Sequence, residues 1–245
     1  MCNNMAKDEI LKKLTHSLPL YVFDEIDSTN RFAKDLTDTL ALVVAKSQSM
    51  GRGRLGRSFI SPKGGIYMSL RANIPDLYDN VPFITTAASV AVCKAIRSLY
   101  NKDVSIKWIN DIYLNKKKVA GILCESSDSS HAIIGIGINF ADYPKELENV
   151  ATSLFDKKTS HKPYELIALI TDNLLDILKK LPDTSFMEYY KAHSFVLGKR
   201  VLCIEGNQSF EATAVDITHT GSLVVKTDNG LKTLSTGEIT LRVTD

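Results

Sequence analysis

A chain of 245 residues, of which 44% are hydrophobic and 24% charged, can form one large domain or one domain with a small appendage. Its net charge of +2 argues against a general nucleic-acid-binding protein, which normally carries a concentrated basic face. The sequence has no apolar run of transmembrane length, no signal-peptide pattern and no metal-ligand spacing among its four cysteines. These features favour a cytoplasmic protein without membrane contact.

Hydrophobic periodicity and turn residues predict the elements of the first 197 residues. A short helix is expected at 8–14, and the N-cap side chains at 28–30 predict a second helix near 31–36. Apolar residues at helical spacing predict a long helix over 81–99, and two more helices follow at 163–181 and 184–195. Strand-like runs lie at 20–26, 41–46, 66–72, 104–108, 112–114, 119–125 and 132–140, with a hairpin turn at 115–118.

The pattern changes at Gly198. Short alternating runs are separated by turn residues at 206–207, 220–221, 228–230 and 237, which predicts a small five-stranded β-barrel. The fold class is therefore expected to be α+β, with a mostly antiparallel sheet flanked by helices at 1–197 and a small β-barrel domain at 198–245.

The segment 47–65 combines five glycines with three arginines and Lys63. Glycine lets the backbone approach a ligand closely, and arginine holds phosphate or carboxylate oxygens in bidentate fashion. The segment lacks the spacing of a P-loop or a dinucleotide fingerprint. It is expected to bind an anion and to become ordered on binding; the alternatives are a flexible cationic loop on the surface or a nucleic-acid contact.

A second cluster, at 107–111 and 118–125, places Lys118, Asn110 and Asp111 at strand ends near a hairpin. A lysine beside a carboxylate or α-phosphate neutralises charge that grows in a transition state. Asp111 could hold Mg²⁺ or help to deprotonate an incoming amine. The alternatives are a solvated turn for the lysines at 116–118 and a core or stacking position for Trp108.

Two further segments have both a functional and a structural interpretation. Gly135 and Gly137 alternate with isoleucine, so a flat ligand could lie on the bare face of the strand, although a tightly packed central strand has the same pattern. Ser28, Thr29 and Asn30 could line a site or only cap a helix.

Taken in order, eight motifs give the chain a clear resemblance to the biotin protein ligase family, over essentially its whole length. They are S-T-N at 28–30, Q-x-x-G-R-G-R-x-G-R at 48–57, S-P-x-G-G-x-Y-x-S at 61–69, K-W-x-N-D at 107–111, K-x-x-G-I-L-x-E at 118–125, G-I-G-I-N at 135–139, T-S-L at 152–154 and G-E-I-T-L-R at 237–242. The resemblance implies a catalytic domain like that of class II aminoacyl-tRNA synthetases, followed by a barrel like the Src-homology-3 domain.

The same resemblance implies a two-step ligase reaction. The carboxylate of biotin attacks the α-phosphate of ATP bound with Mg²⁺, which gives biotinyl-5′-AMP and pyrophosphate. The ε-amine of a lysine on a biotin carrier protein or domain of a carboxylase then attacks the mixed anhydride and releases AMP.

The implied site residues are carried over position by position. The biotin site would comprise Ser28, Thr29, Asn30, Gln48, Arg52, Gly53, Arg54, Lys118 and Gly121. The nucleotide would contact Arg52, Arg54, Arg57, Trp108, Asn110 and Asn139. Lys118, Arg54 and Asp111 would act in catalysis, with Arg54 helping to retain the intermediate and Asp111 also holding magnesium.

The chain departs from the family motifs at two positions, and it has a shorter N-terminal segment than the members that bind DNA. Ile109 replaces the proline of K-W-P-N-D, which loosens the backbone constraint, and Phe59 replaces a tryptophan. About twenty residues precede Leu20, too few for a winged helix, so a monofunctional ligase without DNA binding is expected. The resemblance also suggests a homodimer, with 132–140 as its candidate interface.

Three rival functions remain open. A lipoate ligase or octanoyl transferase would share the fold but is not expected to carry both G-R-G-R-x-G-R and K-W-x-N-D. A sensor that holds biotin or biotinyl-AMP without transferring it is disfavoured by Lys118, Asp111 and Arg54. A nucleic-acid module is disfavoured by the near-neutral charge.

Overall fold

The computed structural model describes residues 4–74, 77–205, 208–235 and 239–243. The turns expected at 206–207 and 237, and part of the motif at 237–242, lie outside the described residues. Helices are α1 (Asn4–Leu11), α2 (Thr29–Asp35), α3 (Leu77–Tyr100), α4 (Tyr164–Leu178) and α5 (Phe186–Ala192).

Twelve strands form two sheets within the described ranges. The first sheet contains β1 (Leu20–Phe23), β2 (Ala41–Ala45), β3 (Ile66–Asn73), β4 (Val104–Lys107), β5 (Asp111–Leu114), β6 (Lys117–Ser126) and β7 (His131–Ile138). The second contains β8 (Arg200–Glu205), β9 (Gln208–Ile217), β10 (Leu223–Thr227), β11 (Gly230–Leu234) and β12 (Ile239–Val243).

The first sheet has the order β1-β2-β3-β7-β6-β5-β4, with β1 and β2 parallel and every other neighbouring pair antiparallel. This confirms the expected α+β class with a mostly antiparallel sheet. The strand predicted at 20–26 ends at Phe23, and Ile26 is joined to Gln48 only by an isolated bridge. The chain thus leaves the sheet just before the polar segment at 28–30.

Helices cover both faces of this sheet. On one face α3 and α4 pack against the strands, and α3 presents alanines that are fully buried, which allows close packing: Ala87, Ala88 and Ala91. On the other face α2 lies over the centre of the sheet, where Ala33 packs against Val43 and Ile133. Burial on two faces explains why the central strands are almost continuously apolar.

The expected dimer interface at 132–140 is wrong for this architecture. Strand β7 pairs with β3 on one edge and β6 on the other, and most of its residues are buried between the helical layers of a single chain. The sequence could not reveal this, because an apolar strand in the middle of a sheet has the same composition as one at an interface.

The second sheet is antiparallel throughout, with the order β11-β10-β9-β8-β12. Its apolar residues belong to the same core cluster as those of the first sheet. Two polar contacts also join the parts: Trp108 Nε1 donates to the carbonyl of Gly221 at 2.9 Å, and Lys191 pairs with Asp216. None of the described helices is both long and apolar enough to cross a membrane.

Asp172 anchors the segment after α1 to α4. Its carboxylate accepts hydrogen bonds from the Thr15 amide at 3.0 Å, the His16 amide at 3.3 Å and His16 Nδ1 at 2.9 Å. Burial by itself raises the pKa of Asp172, but the hydrogen bonds from His16 and Thr15 outweigh it, so the pKa lies below its usual value. The ionised form is therefore the one that stabilises the fold.

Asp172→Asn should lower the free energy of unfolding by about 1–3 kcal/mol near neutral pH, measured by urea titration. Because the folded pKa is depressed, this stabilisation is present above the unfolded pKa and disappears as the pH falls through the folded value. The difference in free energy of unfolding between wild type and Asp172→Asn should therefore become smaller from about pH 5 downwards. Asp176→Asn is the matched control, since that side chain is 62% exposed and lies 3.4 Å from His16 Nε2. A difference that stays constant with pH would contradict the conclusion that the ionised Asp172 carboxylate stabilises the fold.

Candidate active site

A cleft lies between the start of α2, the glycine-arginine segment, the β4–β5–β6 strands and the middle of β7. It brings together nearly all the side chains and glycines singled out in the sequence: Ser28, Thr29, Asn30, Gln48, Arg52, Gly53, Arg54, Arg57, Trp108, Asn110, Asp111, Lys118 and Gly121. Of the residues that the resemblance assigned to the site, Asn139 is the exception, because it does not line the cleft.

One end of the cleft is a compact polar pocket. Ser28 caps α2 by accepting a hydrogen bond from the Arg31 amide at 3.4 Å. The amide and hydroxyl of Thr29 both donate to Gln48 Oε1, at 2.8 and 3.0 Å, and Gln48 Nε2 donates to Ser61 Oγ at 3.0 Å. The two interpretations of 28–30 are therefore compatible, since the helix cap is also a wall of the cleft.

The glycine-arginine segment forms a short hairpin at 51–59. The Gly53 amide donates to the Arg57 carbonyl at 2.7 Å, and the Phe59 amide donates to the Gly51 carbonyl at 2.9 Å. Leu55 and Gly56 make the turn with φ of 55° and 72°. We refer to residues 51–59 as the lid, because this hairpin lies over the cleft with defined internal hydrogen bonds.

Two lid arginines reach different parts of the site. Arg54 Nη1 donates to Asn110 Oδ1 at 3.2 Å, and burial lowers the pKa of Arg54 while the charge of Asp111 opposes that shift. A guanidinium nevertheless stays protonated at neutral pH. Arg52 Nη1 lies 3.5 Å from Glu125 Oε1 at the rim. The lid therefore places one cation inside the cleft and another at its edge.

Lys118 faces the cleft rather than solvent. Its Nζ lies 2.7 Å from Asp111 Oδ1, and the two side chains are only 33% and 23% exposed. A two-residue turn at Asn115 and Lys116, both with positive φ, joins β5 to β6 and turns the chain back within reach. Gly121 leaves room for the Lys118 side chain, because a Cβ at position 121 would lie only 3.0 Å from Lys118 Nζ.

Trp108 and Ile109 connect the cleft to the protein interior. Trp108 lines the cleft while its indole N–H bonds the Gly221 carbonyl of the second sheet, so it is both a site residue and a structural one. The Trp108–Ile109 peptide bond is cis. The Ile109 carbonyl accepts hydrogen bonds from Tyr190 at 3.0 Å and Ser89 at 3.3 Å, so two buried hydroxyls hold the backbone where the family pattern has proline.

The bare face of β7 receives side chains of the protein. A Cβ at Gly135 would collide with the amide group of Asn30, and one at Gly137 would lie 2.5 Å from the Phe59 ring. Of the two interpretations of these glycines, the contacts favour close packing within the protein, although both glycines also line the cleft. The glycines allow α2 and the lid to approach the sheet, and Asn30 and Phe59 fill that space.

Asn139 is buried and performs a local role. Its Nδ2 donates to the Thr152 carbonyl at 3.0 Å, and its own carbonyl accepts from the Leu154 amide at 2.8 Å. These bonds tie the T-S-L segment to the end of β7. The contact with adenine expected for Asn139 stays a prediction.

Three residues to which no role was assigned from the sequence form hydrogen bonds that hold the cleft residues in place. Ser69 is fully buried, donates to Asn30 Oδ1 and lies 2.8 Å from Thr29 Oγ1. Glu125 accepts from Asn30, and Tyr190 donates to the Ile109 carbonyl. Ser69 and Glu125 each end a motif of the sequence, which was the available signal. Nothing in the local sequence around Tyr190 indicates its contact, which spans 81 positions.

Comparisons with known proteins match both parts of the chain. Residues 22–139 match the model of the biotin/lipoate A/B protein ligase family, and residues 196–242 match the biotin protein ligase C-terminal domain. A bifunctional ligase/repressor BirA from Bacillus spizizenii is 34% identical over 239 residues, covering 89% of this chain and 72% of that protein. The chain belongs to the biotin protein ligase family.

Other members of the biotin protein ligase family are similar in sequence and in fold. The biotin–[acetyl-CoA-carboxylase] ligase of Mycobacterium tuberculosis is 27% identical over 207 residues, which cover 81% of this chain and 77% of that one. The biotin protein ligase of Aquifex aeolicus, solved in complex with biotin and ATP, superposes with a TM-score of 0.83 at 30% identity, covering 92% of this chain and 99% of the other.

Tyr190→Phe should lower the free energy of unfolding by about 1–2 kcal/mol, because it removes a buried hydrogen bond to the Ile109 carbonyl. Tyr189→Phe is the matched control, since the neighbouring hydroxyl has only a 3.9 Å contact with Cys93 Sγ. Chemical denaturation of both variants measures the difference. Equal losses of unfolding free energy in the two variants would mean that the hydrogen bond from Tyr190 to the Ile109 carbonyl does not stabilise the fold.

Proposed function

We propose that the chain activates biotin with ATP to biotinyl-5′-AMP and transfers the biotinyl group to a lysine of a biotin carrier protein or carboxylase domain. The observation that carries this proposal is one cleft that combines a neutral polar pocket with a cationic and acidic cluster. The polar pocket is built from Ser28, Thr29 and Gln48, and the cluster contains Arg54, Lys118 and Asp111. Such a cleft suits a substrate with a neutral ring at one end and a carboxylate at the other.

The polar pocket would take the ureido ring of biotin. Beyond the bonds described above, Ser28 retains its O–H hydrogen and Gln48 one N–H, and both can donate to the ureido oxygen. Thr29 orients Gln48 for this task. Asn30 and Gly121 would complete the pocket walls.

The charged cluster would serve the first chemical step. A carboxylate oxygen of biotin attacks the α-phosphorus of ATP, and the bond from phosphorus to the pyrophosphate oxygen breaks. Lys118 would lie beside the carboxylate and the α-phosphate, and Arg54, already oriented by Asn110, would stabilise the charge that accumulates there. Arg52, Arg57, Trp108 and Asn139 would contribute to nucleotide binding.

The lid would protect the intermediate until the second step. Biotinyl-5′-AMP is a mixed anhydride that water hydrolyses, and exclusion of water is a general service of closing loops. Gly53 lets the lid backbone come close, and Arg54 would bind the adenylate. In the transfer, the ε-amine of the target lysine attacks the acyl carbon, AMP leaves, and Asp111 would accept the proton of the amine.

A magnesium ion would accompany ATP. The described residues contain no group of three or more histidine, cysteine, aspartate or glutamate side chains that could hold a metal. A single carboxylate at Asp111 fits a magnesium ion bound mainly by substrate phosphates and water, which is the usual mode for this metal. The ion would neutralise charge on the phosphates.

Finer features of the architecture belong to the same proposal. The first domain, at 1–197, would resemble class II aminoacyl-tRNA synthetases, and the second, at 198–245, would be a barrel like the Src-homology-3 domain. Gly198, with φ of 79°, and the C-terminal domain match from residue 196 support this division. A carboxylase carrier is supported by the name of the Mycobacterium tuberculosis relative, and a homodimer stays a prediction.

The test is a transfer assay with purified protein, Mg²⁺, ATP, labelled biotin and a biotin carrier domain. Covalent label on the carrier lysine is the expected result. Label supplied from lipoate instead would support a lipoate ligase, and tight biotin binding without transfer would support a sensor; either result would overturn the proposal.

Lys118→Met should reduce the rate of adenylate formation by about 10²–10³-fold, because it removes a positive charge next to the reacting groups. The rate is measured as pyrophosphate release in the absence of carrier. Lys116→Met is the matched control on the same hairpin, where the side chain is exposed and the rate should stay at the wild-type value. A similar rate for both variants would remove Lys118 from the mechanism.

Arg54→Gly should release biotinyl-5′-AMP into solution, so that lysines of bystander proteins become labelled. The reason is that the variant loses the cation held inside the cleft by Asn110. Labelling of serum albumin relative to the carrier domain measures the leak. Full selectivity in this variant would mean that Arg54 does not retain the intermediate.

A further inference from the structure

Both amide hydrogens of Asn30 are used by bonds within the protein. Its Nδ2 donates to the Leu123 carbonyl at 3.3 Å and to Glu125 Oε2 at 2.7 Å, which uses both amide hydrogens. Its Oδ1 accepts from Ser69 Oγ at 2.6 Å. The residue is 6% exposed, and its side chain packs on Gly135. Asn30 therefore shapes the polar pocket through its position and has no N–H left to donate to a ligand.

The same network extends from Asn30 through the pocket. Ser69 lies 2.8 Å from Thr29 Oγ1 as well as bonding Asn30, and Thr29 in turn donates to Gln48. A shift of the Asn30 amide would therefore disturb the residues assigned to the ureido ring under the proposed function. Buried polar networks of this kind keep one arrangement because an unmade bond is costly.

Glu125 stands at the other end of the network and also faces the lid. Oε2 receives the Asn30 amide, and Oε1 lies 3.5 Å from Arg52 Nη1. The Glu125 side chain is 26% exposed and that of Arg52 is 62% exposed, so the contact lies at the rim of the cleft. One carboxylate thus bridges the floor of the polar pocket and the lid.

We propose that Glu125 is a positioning residue that couples closure of the lid, through Arg52, to the arrangement of the polar pocket, through Asn30. This inference rests on the proposed function for its catalytic readout. When the pocket holds Asn30 and Glu125 in place, the carboxylate presents a fixed negative charge to Arg52. The lid closes against a properly formed pocket and retains the activated intermediate there.

Two substitutions separate the roles of Glu125. Glu125→Gln keeps a carbonyl oxygen for the Asn30 amide but presents a neutral group to Arg52. Glu125→Ala removes both contacts. We expect Glu125→Gln to weaken only lid closure, whereas Glu125→Ala should also weaken biotin binding, because the Asn30 amide loses an acceptor.

The main experiment measures biotinyl-5′-AMP released into solution relative to biotin transferred to the carrier. Glu125→Gln should raise this ratio roughly two- to five-fold, as expected for the loss of one partly exposed ion pair, with an unchanged urea midpoint. In an Arg52→Met background the same substitution should add nothing further. An unchanged ratio, or an equal increase in the Arg52→Met background, would overturn the coupling.

A second readout does not depend on the reaction. The lid contains three arginines at which trypsin can cut, and a lid held by Glu125 is protected in the ligand-free protein. Glu125→Gln should be cut within 51–59 faster than wild type, and equal cutting rates would overturn the proposal even if the chain proved inactive as a ligase. Glu211→Gln, which breaks an exposed pair with Arg200 on the second sheet, is the matched control and should resemble wild type in both assays.

Discussion

The close approach of α2 to the sheet is the constraint on which the rest of the site depends. It requires a strand without a side chain at Gly135, where the Asn30 amide occupies the space that a Cβ would take. Because the helix begins at this depth, its cap residue Ser28 and the adjacent Thr29 line the cleft instead of facing solvent. The polar pocket is therefore a consequence of how tightly one helix packs on one strand.

The charged part of the cleft is assembled from elements that are anchored elsewhere. The β5–β6 hairpin brings Lys118 against Asp111, and the lid brings Arg54 to Asn110. Trp108 is held by the second sheet through the Gly221 carbonyl. The second sheet thus takes part in the geometry of a cleft that none of its described residues lines. This gives a physical reason for the two family matches to occur in one chain.

Most elements, and most of the residues that line the cleft, could be predicted from the sequence because both depend on local patterns. The helix at α3 follows from the spacing of its apolar residues, and the cleft residues follow from motifs that fold within one or two elements. What the sequence could not reveal were pairings across long separations, such as Tyr190 with the Ile109 carbonyl. The place of β7 in the middle of the sheet was hidden for the same reason, as were the long-range bonds of the Asn30 amide to the Leu123 carbonyl and Glu125.

The ion pair between Lys118 and Asp111 has a consequence for selectivity among anions. In the ligand-free cleft this lysine already has a counter-charge at 2.7 Å, and Arg54 has the Asn110 oxygen at 3.2 Å. An incoming anion must therefore displace internal partners rather than occupy a vacant positive site, so the net electrostatic gain is a difference between two similar interactions. Simple phosphate gains little from that exchange. A ligand that also fills the neutral pocket gains further contacts there, so the cleft favours such a ligand over a simple anion.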